Sequence, residues 1–135
     1  MNFESEFFQK FNFQEEQISN YLKSAEKNLR IAENIKIPEV IFKFSYDAMI
    51  KIGITLIARN GYKVKTRLGH HIKILEALGS ILKDKEIEAI GNIIRKQRNV
   101  DIYGEGAIVS KKQSEEYLEF IQKVFRKAKK YFNEY

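Results

Sequence analysis

The chain has 135 residues, a length that suits one domain with a buried core. Its apolar share of 44% and charged share of 31% are ordinary for a globular protein, and the absence of Cys excludes disulfides, a thiol nucleophile and zinc–thiolate sites. The 24 Lys and Arg exceed the 18 Asp and Glu by six, so what matters is where that excess collects.

The amino end, Met1-Asn2-Phe3-Glu4-Ser5-Glu6, lacks a basic run followed by an apolar one, so no secretory signal is expected. Five phenylalanines, Phe3, Phe7, Phe8, Phe11 and Phe13, suggest a short extra helix packed on the rest or on a partner. Next, Ile18, Tyr21, Leu22, Ala25, Leu29 and Ala32 recur at helical spacing and predict a helix with one buried face. Pro38 suits the first turn of another helix, where its missing N–H is no loss. That helix is apolar nearly all round. Its charges, Lys43, Asp47 and Lys51, form one wet stripe, which also rules the segment out as a membrane span. Asn60-Gly61 is expected to end it.

A loop over residues 62–67 then leads to a third helix, with Ile72, Leu75, Leu78 and Leu82 on one side. Asp84 is a plausible N-cap for a fourth helix carrying Ile87, Ile90 and Ile94, and Gly104 and Gly106 break the pattern. Ser110 is a plausible cap for the last helix, whose inner face runs through Tyr117, Phe120, Ile121, Val124, Phe125, Ala128, Tyr131 and Phe132. No strand signal competes. The expectation is a single all-α domain: four long, mostly antiparallel helices over 13–132, with residues 1–12 as an N-terminal extension and the cytoplasm as the location.

The charge is not spread evenly. Residues 1–50 hold 6 basic and 8 acidic side chains, and residues 51–135 hold 18 and 10. Arg59, Lys63, Lys65, Arg67 and Lys73 have no acidic residue among them, and His70 and His71 lie in the same stretch. This cluster straddles a loop and a helix start, where backbone N–H groups also attract phosphate, so it is a candidate anion or nucleic-acid site. The alternative use of Tyr62 within it is core packing rather than base stacking. The basic run Lys123, Arg126, Lys127, Lys129 and Lys130 reads as a solvated helix face.

A further basic run, Arg95-Lys96-Gln97-Arg98, is followed by Asn99, Asp101 and Tyr103. Arg98 continues the stripe of Ile90 and Ile94, so it needs acceptors or a partner. Two readings stand side by side. In one, Arg98 pairs with Asp101 or Asp47, Asn99 caps the helix and Tyr103 packs on the last helix. In the other, Arg98 contacts a phosphate that Asn99, Asp101 and Tyr103 help to position. The adjacent His70 and His71 are a weak metal set without a nearby carboxylate or Cys. If the third and fourth helices pack antiparallel, either His can approach Arg98.

With Arg98-Asn99 near the end of the penultimate helix, and with the stretch from Asn60 through His71 followed by Leu75-Glu76-Ala77-Leu78, the chain resembles the HEPN superfamily over roughly residues 13–132. That resemblance implies a small, usually dimeric helical bundle that binds RNA or nucleotide, in some systems as a toxin–antitoxin or defence component. It also implies metal-independent ribonuclease chemistry by an Arg and a His paired across the dimer. The family's His falls four to six residues beyond the Arg-Asn pair's polar position, where this chain has Tyr103, Gly104 and Glu105. The usual acid–base group is therefore missing from its place, and reduced or absent ribonuclease activity is expected. The alternative that the resemblance implies is a non-enzymatic dimeric module partnering a minimal nucleotidyltransferase, with Tyr103 as the modified residue. No cofactor is expected.

Overall fold

A computed structural model describes the backbone of residues 1–103 and 109–134 and the side chains of 1–99 and 109–133. The chain is mostly helical, with a two-stranded sheet at one side. In order, the elements are β1 (Phe8–Lys10), α1 (Glu15–Glu33), α2 (Pro38–Arg59), β2 (Tyr62–Val64), α3 (His70–Ile81), α4 (Lys85–Tyr103) and α5 (Lys111–Glu134). Among the described residues no helix is long and apolar enough to cross a membrane.

The central element is α2, which packs against α1, α3, α4, α5 and β2. It can do so because its side chains are apolar on most sides: Tyr46, Ala48, Met49, Ile52, Leu56 and Ile57 are all nearly inaccessible to solvent. Its wet stripe is as expected, with Lys43 paired to Asp47 at 3.3 Å and Lys51 donating to Ser24 Oγ at 2.8 Å. Pro38 opens the helix, and Asn60 closes it by donating its side-chain amide to the Leu56 carbonyl at 2.7 Å. The α1 stripe buries Ile18, Ala25, Leu29 and Ala32 as the spacing predicts.

Two further caps form where the sequence places them. Asp84 Oδ1 accepts from the Glu86 N–H at 3.0 Å at the start of α4. Ser110 Oγ accepts from the Gln113 N–H at 3.1 Å, and Gln113 Oε1 accepts from the Ser110 N–H at 3.2 Å, a reciprocal capping box for α5. The basic residues Lys123, Arg126, Lys127, Lys129 and Lys130 on α5 are exposed; Lys123 pairs with Glu119 and Lys127 with Asp84.

Three expectations are corrected. The Phe-rich amino end forms no helix. Residues Phe8–Lys10 are a strand, antiparallel to Tyr62–Val64, with Phe8 opposite Val64 and Lys10 opposite Tyr62. The expected loop at 62–67 therefore begins as a strand. The expected third helix does form, as the 12-residue α3, so the described helices are five, four of them long and this one short. On α3 the buried residues are Ile74, Leu75, Ala77 and Leu78, whereas Ile72 is 40% exposed. Close helix contacts set this register. A Cβ on Gly53 of α2 would lie 2.4 Å from Ile74 Cγ2, and one on Gly91 of α4 would lie 3.2 Å from a Leu75 methyl. These glycines let α2 and α4 approach α3 from two sides, which brings the start of α3 beside the end of α4.

Candidate functional site

The sequence-distant segments 67–72 and 95–99 meet in one open cleft of about 550 Å³. Arg67, His70 and His71 come from the α3 side, and Arg95, Arg98 and Asn99 from α4. Among the described residues, no acidic side chain lines it. The rim carries two exposed apolar side chains, Leu68 at 97% and Ile72.

Each histidine is held differently. His70 Nδ1 lies 2.8 Å from the Arg67 carbonyl oxygen. A carbonyl only accepts, so Nδ1 carries the proton and neutral His70 keeps its lone pair on Nε2. His71 Nδ1 lies 2.8 Å from the hydroxyl of Tyr46, which is 1% exposed. Burial pushes the Tyr46 phenol up to about 12, against the opposing pull of the Arg98 and Arg95 charges. A hydroxyl that holds its proton so firmly can donate to Nδ1 of a neutral His71, which leaves the His71 proton on Nε2. His71 is pushed down to about 4, first by burial and then by His70 and Arg98. The two imidazole centroids are 4.5 Å apart. The pair thus offers one ring nitrogen that can take a proton and another that can donate a hydrogen bond.

Arg98 is half-buried, and its guanidinium carbon lies 5.1 Å from the centre of the Tyr46 ring. That cation–π contact orients the group and contributes about 0.5–1 kcal/mol. Asp47, one of its two expected partners, pairs with Lys43 instead, and among the described residues no ion pair involves Arg98. Arg95 is braced by Asn92, whose Oδ1 accepts from Nε at 3.1 Å. The side chains of Asp101 and Tyr103, like Gly104 and Glu105, lie outside the described residues.

The basic side chains expected to cluster over residues 59–73 do not all gather in one place. Arg59 lies away from the cleft: it pairs with Glu15 of α1, sits 4.7 Å from the Phe132 ring centre and joins three helices. Lys63 lies over the Phe11 ring at 4.5 Å, and Lys65 Nζ donates to the Ser5 carbonyl at 2.7 Å. Arg67 reaches the cleft but donates to the Glu6 carbonyl at 3.0 Å, with the Glu6 carboxylate 3.7 Å away. Lys73 pairs with Glu4 and Glu76, which hold its ammonium above its usual range. The cluster is free of acids along the chain but not in space, because the amino-terminal segment lies across it. Of the expected anion-binding residues, Arg67, His70, His71 and Arg95 line the cleft with Arg98 and Asn99.

Sequence reasoning missed Tyr46. The available signal was a phenol in the middle of an otherwise apolar helix, where a buried hydroxyl must find a partner. Comparison with family models, with curated proteins and with solved structures finds no match to the chain.

Proposed function

We propose that the cleft binds the phosphodiester backbone of single-stranded RNA, in a HEPN-like domain that works as a homodimer. The observation that carries this reading is the meeting of His70 and His71 with Arg95, Arg98 and Asn99 in one cleft, with no acidic lining among the described residues. Four helices of 19 residues or more, with Arg98-Asn99 late in the penultimate one, suit the bundle that the sequence resembles. The histidine missing from positions 103–105 has a counterpart at the start of α3, so an Arg–His set is retained from a different part of the chain.

The chemistry available is metal-independent. Arg98 and Arg95 neutralise phosphate charge, and Asn99 supplies a neutral hydrogen-bonding group. His70 Nε2 can take the proton from a ribose 2′-hydroxyl as its oxygen attacks phosphorus. The departing 5′-oxygen then needs a proton from a second group, and His71 in the same cleft can give one from Nε2 only while it is an imidazolium, with both ring nitrogens protonated. Because His71 holds charge poorly near neutral pH, slow turnover is expected, and binding is the main activity. Exposed Leu68 and Ile72 on the rim favour self-association of this face.

The test is binding of a fluorescent single-stranded RNA to the parent and to Arg98→Ala across a salt series. Loss of one phosphate contact should weaken binding about tenfold or more and reduce the log–log salt slope by about 0.7. Equal affinity and equal slope would overturn the proposal. Light scattering at micromolar concentration should give a dimer, and Leu68→Lys should shift it toward monomer.

A further inference from the structure

A second concavity of about 390 Å³ lies behind the two histidines, between the amino-terminal segment, α1, α2 and β2. Its walls are aromatic: Phe11, Phe13, Tyr21 and Tyr62, over a floor of α2 isoleucines. His70 and His71 line this groove and the arginine cleft alike, so the two cavities share a wall. We propose that this aromatic groove is a nucleobase subsite, taking an unpaired base whose own phosphate lies in the arginine cleft. The inference rests on the RNA-binding reading above and extends it by naming what the cleft's ligand carries next to its phosphate.

Three observations converge on this ligand. The first is shape. The Phe11 N–H donates to the Gly61 carbonyl at 2.9 Å, just beyond the β1–β2 pairing, which fixes the backbone at that edge of the groove, and the Tyr62 ring is backed by Phe3, stacked at 4.2 Å. Phe11 and Phe13 are 4.5 Å apart at a tilt, and Phe13 meets Tyr21 edge-on at 5.7 Å. Ring faces and edges of this kind suit a flat heteroaromatic ring better than a branched aliphatic chain.

The second is charge. Among the described residues neither cavity has an acidic lining, and the groove's own charged group is Lys63, beside Phe11. An aromatic ligand carrying a phosphate matches an apolar groove that opens beside guanidinium groups. The third is polarity within the groove. Thr66, Lys63, the histidine edges and the Tyr21 and Tyr62 hydroxyls are the polar groups among apolar walls, able to fix the orientation of a base by hydrogen bonds. The volume also falls in the range of small-molecule sites.

The experiment compares three probes on the full chain by calorimetry: inorganic phosphate, ribose 5-phosphate and adenosine 5′-monophosphate. Ring-proton NMR shifts of the tyrosines are followed in parallel. The nucleotide should bind about tenfold more tightly than ribose 5-phosphate, and it alone should shift Tyr21 and Tyr62. Phe11→Ala, at a partly exposed position, should remove that advantage and leave ribose 5-phosphate affinity unchanged, whereas Arg98→Ala should weaken both. Equal binding of the nucleotide and ribose 5-phosphate, with unmoved tyrosine signals, would overturn the base subsite and leave the phosphate cleft standing. No binding of any probe at millimolar concentration would overturn the cleft and the subsite together. If phenyl phosphate matched the nucleotide, the groove would be a general aromatic site, and base recognition would be refuted.

Discussion

Mild acid should destabilise this protein through His71. Around that imidazole stand the Tyr46 hydroxyl and His70, with the charges of Arg98, Arg95 and Asp47 further out. Folding lowers its pKa from about 6.5 to about 4, so the unfolded chain takes up a proton that the folded chain refuses. The contribution to stability is therefore intact above pH 6.5 and is lost as pH falls from there toward 4. Between pH 7 and pH 5 the full shift would correspond to about 2 kcal/mol; partial solvent access to the ring reduces this to about 1 kcal/mol. Urea unfolding at the two pH values, in the parent and in His71→Gln, isolates the effect, since other titrating groups act in both. The parent should lose about 1 kcal/mol more than the variant. An equal loss in both, or an NMR titration midpoint for His71 at or above 6.5, would refute the reasoning.

Other substitutions test other links. Gly53→Ala gains about 1 kcal/mol of helix propensity but drives a methyl into buried Ile74, so urea unfolding should show a net loss of about 1–2 kcal/mol. The double variant with Ile74→Ala should fall short of the summed single losses, because the clashing methyl is gone. Lys83 ends α3 with φ of 54°, where a side chain is strained, and Lys83→Gly should raise stability by about 0.5–1 kcal/mol by thermal or urea unfolding. Glu6→Gln releases Arg67 from a carboxylate and should raise RNA affinity about twofold to fivefold at low salt, an increase that vanishes at high salt.

What could be read from the chain was what depends on near neighbours. The α1 stripe, Pro38 at the start of α2, Asp84 and Ser110 as caps, and the single wet stripe of α2 all follow from residues within one or two turns. The strands were not legible, because each is three residues long and its partner lies more than fifty positions away. On α3 the expected Leu75 and Leu78 are buried and Leu82 packs on the core, but Ile72 was misplaced for a related reason: both Ile72 and Ile74 fit an apolar stripe, and it is Ile74 that fills the space at Gly53. For the site, Arg98 and the histidines stood out by type and spacing, whereas Tyr46 and the neutralising Glu4 and Glu6 become visible only when distant segments are brought together.

The amino-terminal cover has an energetic consequence. Phe8 reaches the core and Phe3 and Phe7 pack against it, but the backbone of this segment is held by one three-residue strand pairing, whereas α2 is enclosed by helices on several sides. A segment held by a short edge pairing opens at lower free energy than the whole domain. Each opening strips Glu4 and Glu6 from Lys73 and Arg67 while the helices stay folded. The positive potential beside the cleft is thus a time average of two states, one masked and one bare, and amide exchange at Phe8–Lys10 would clock the interchange.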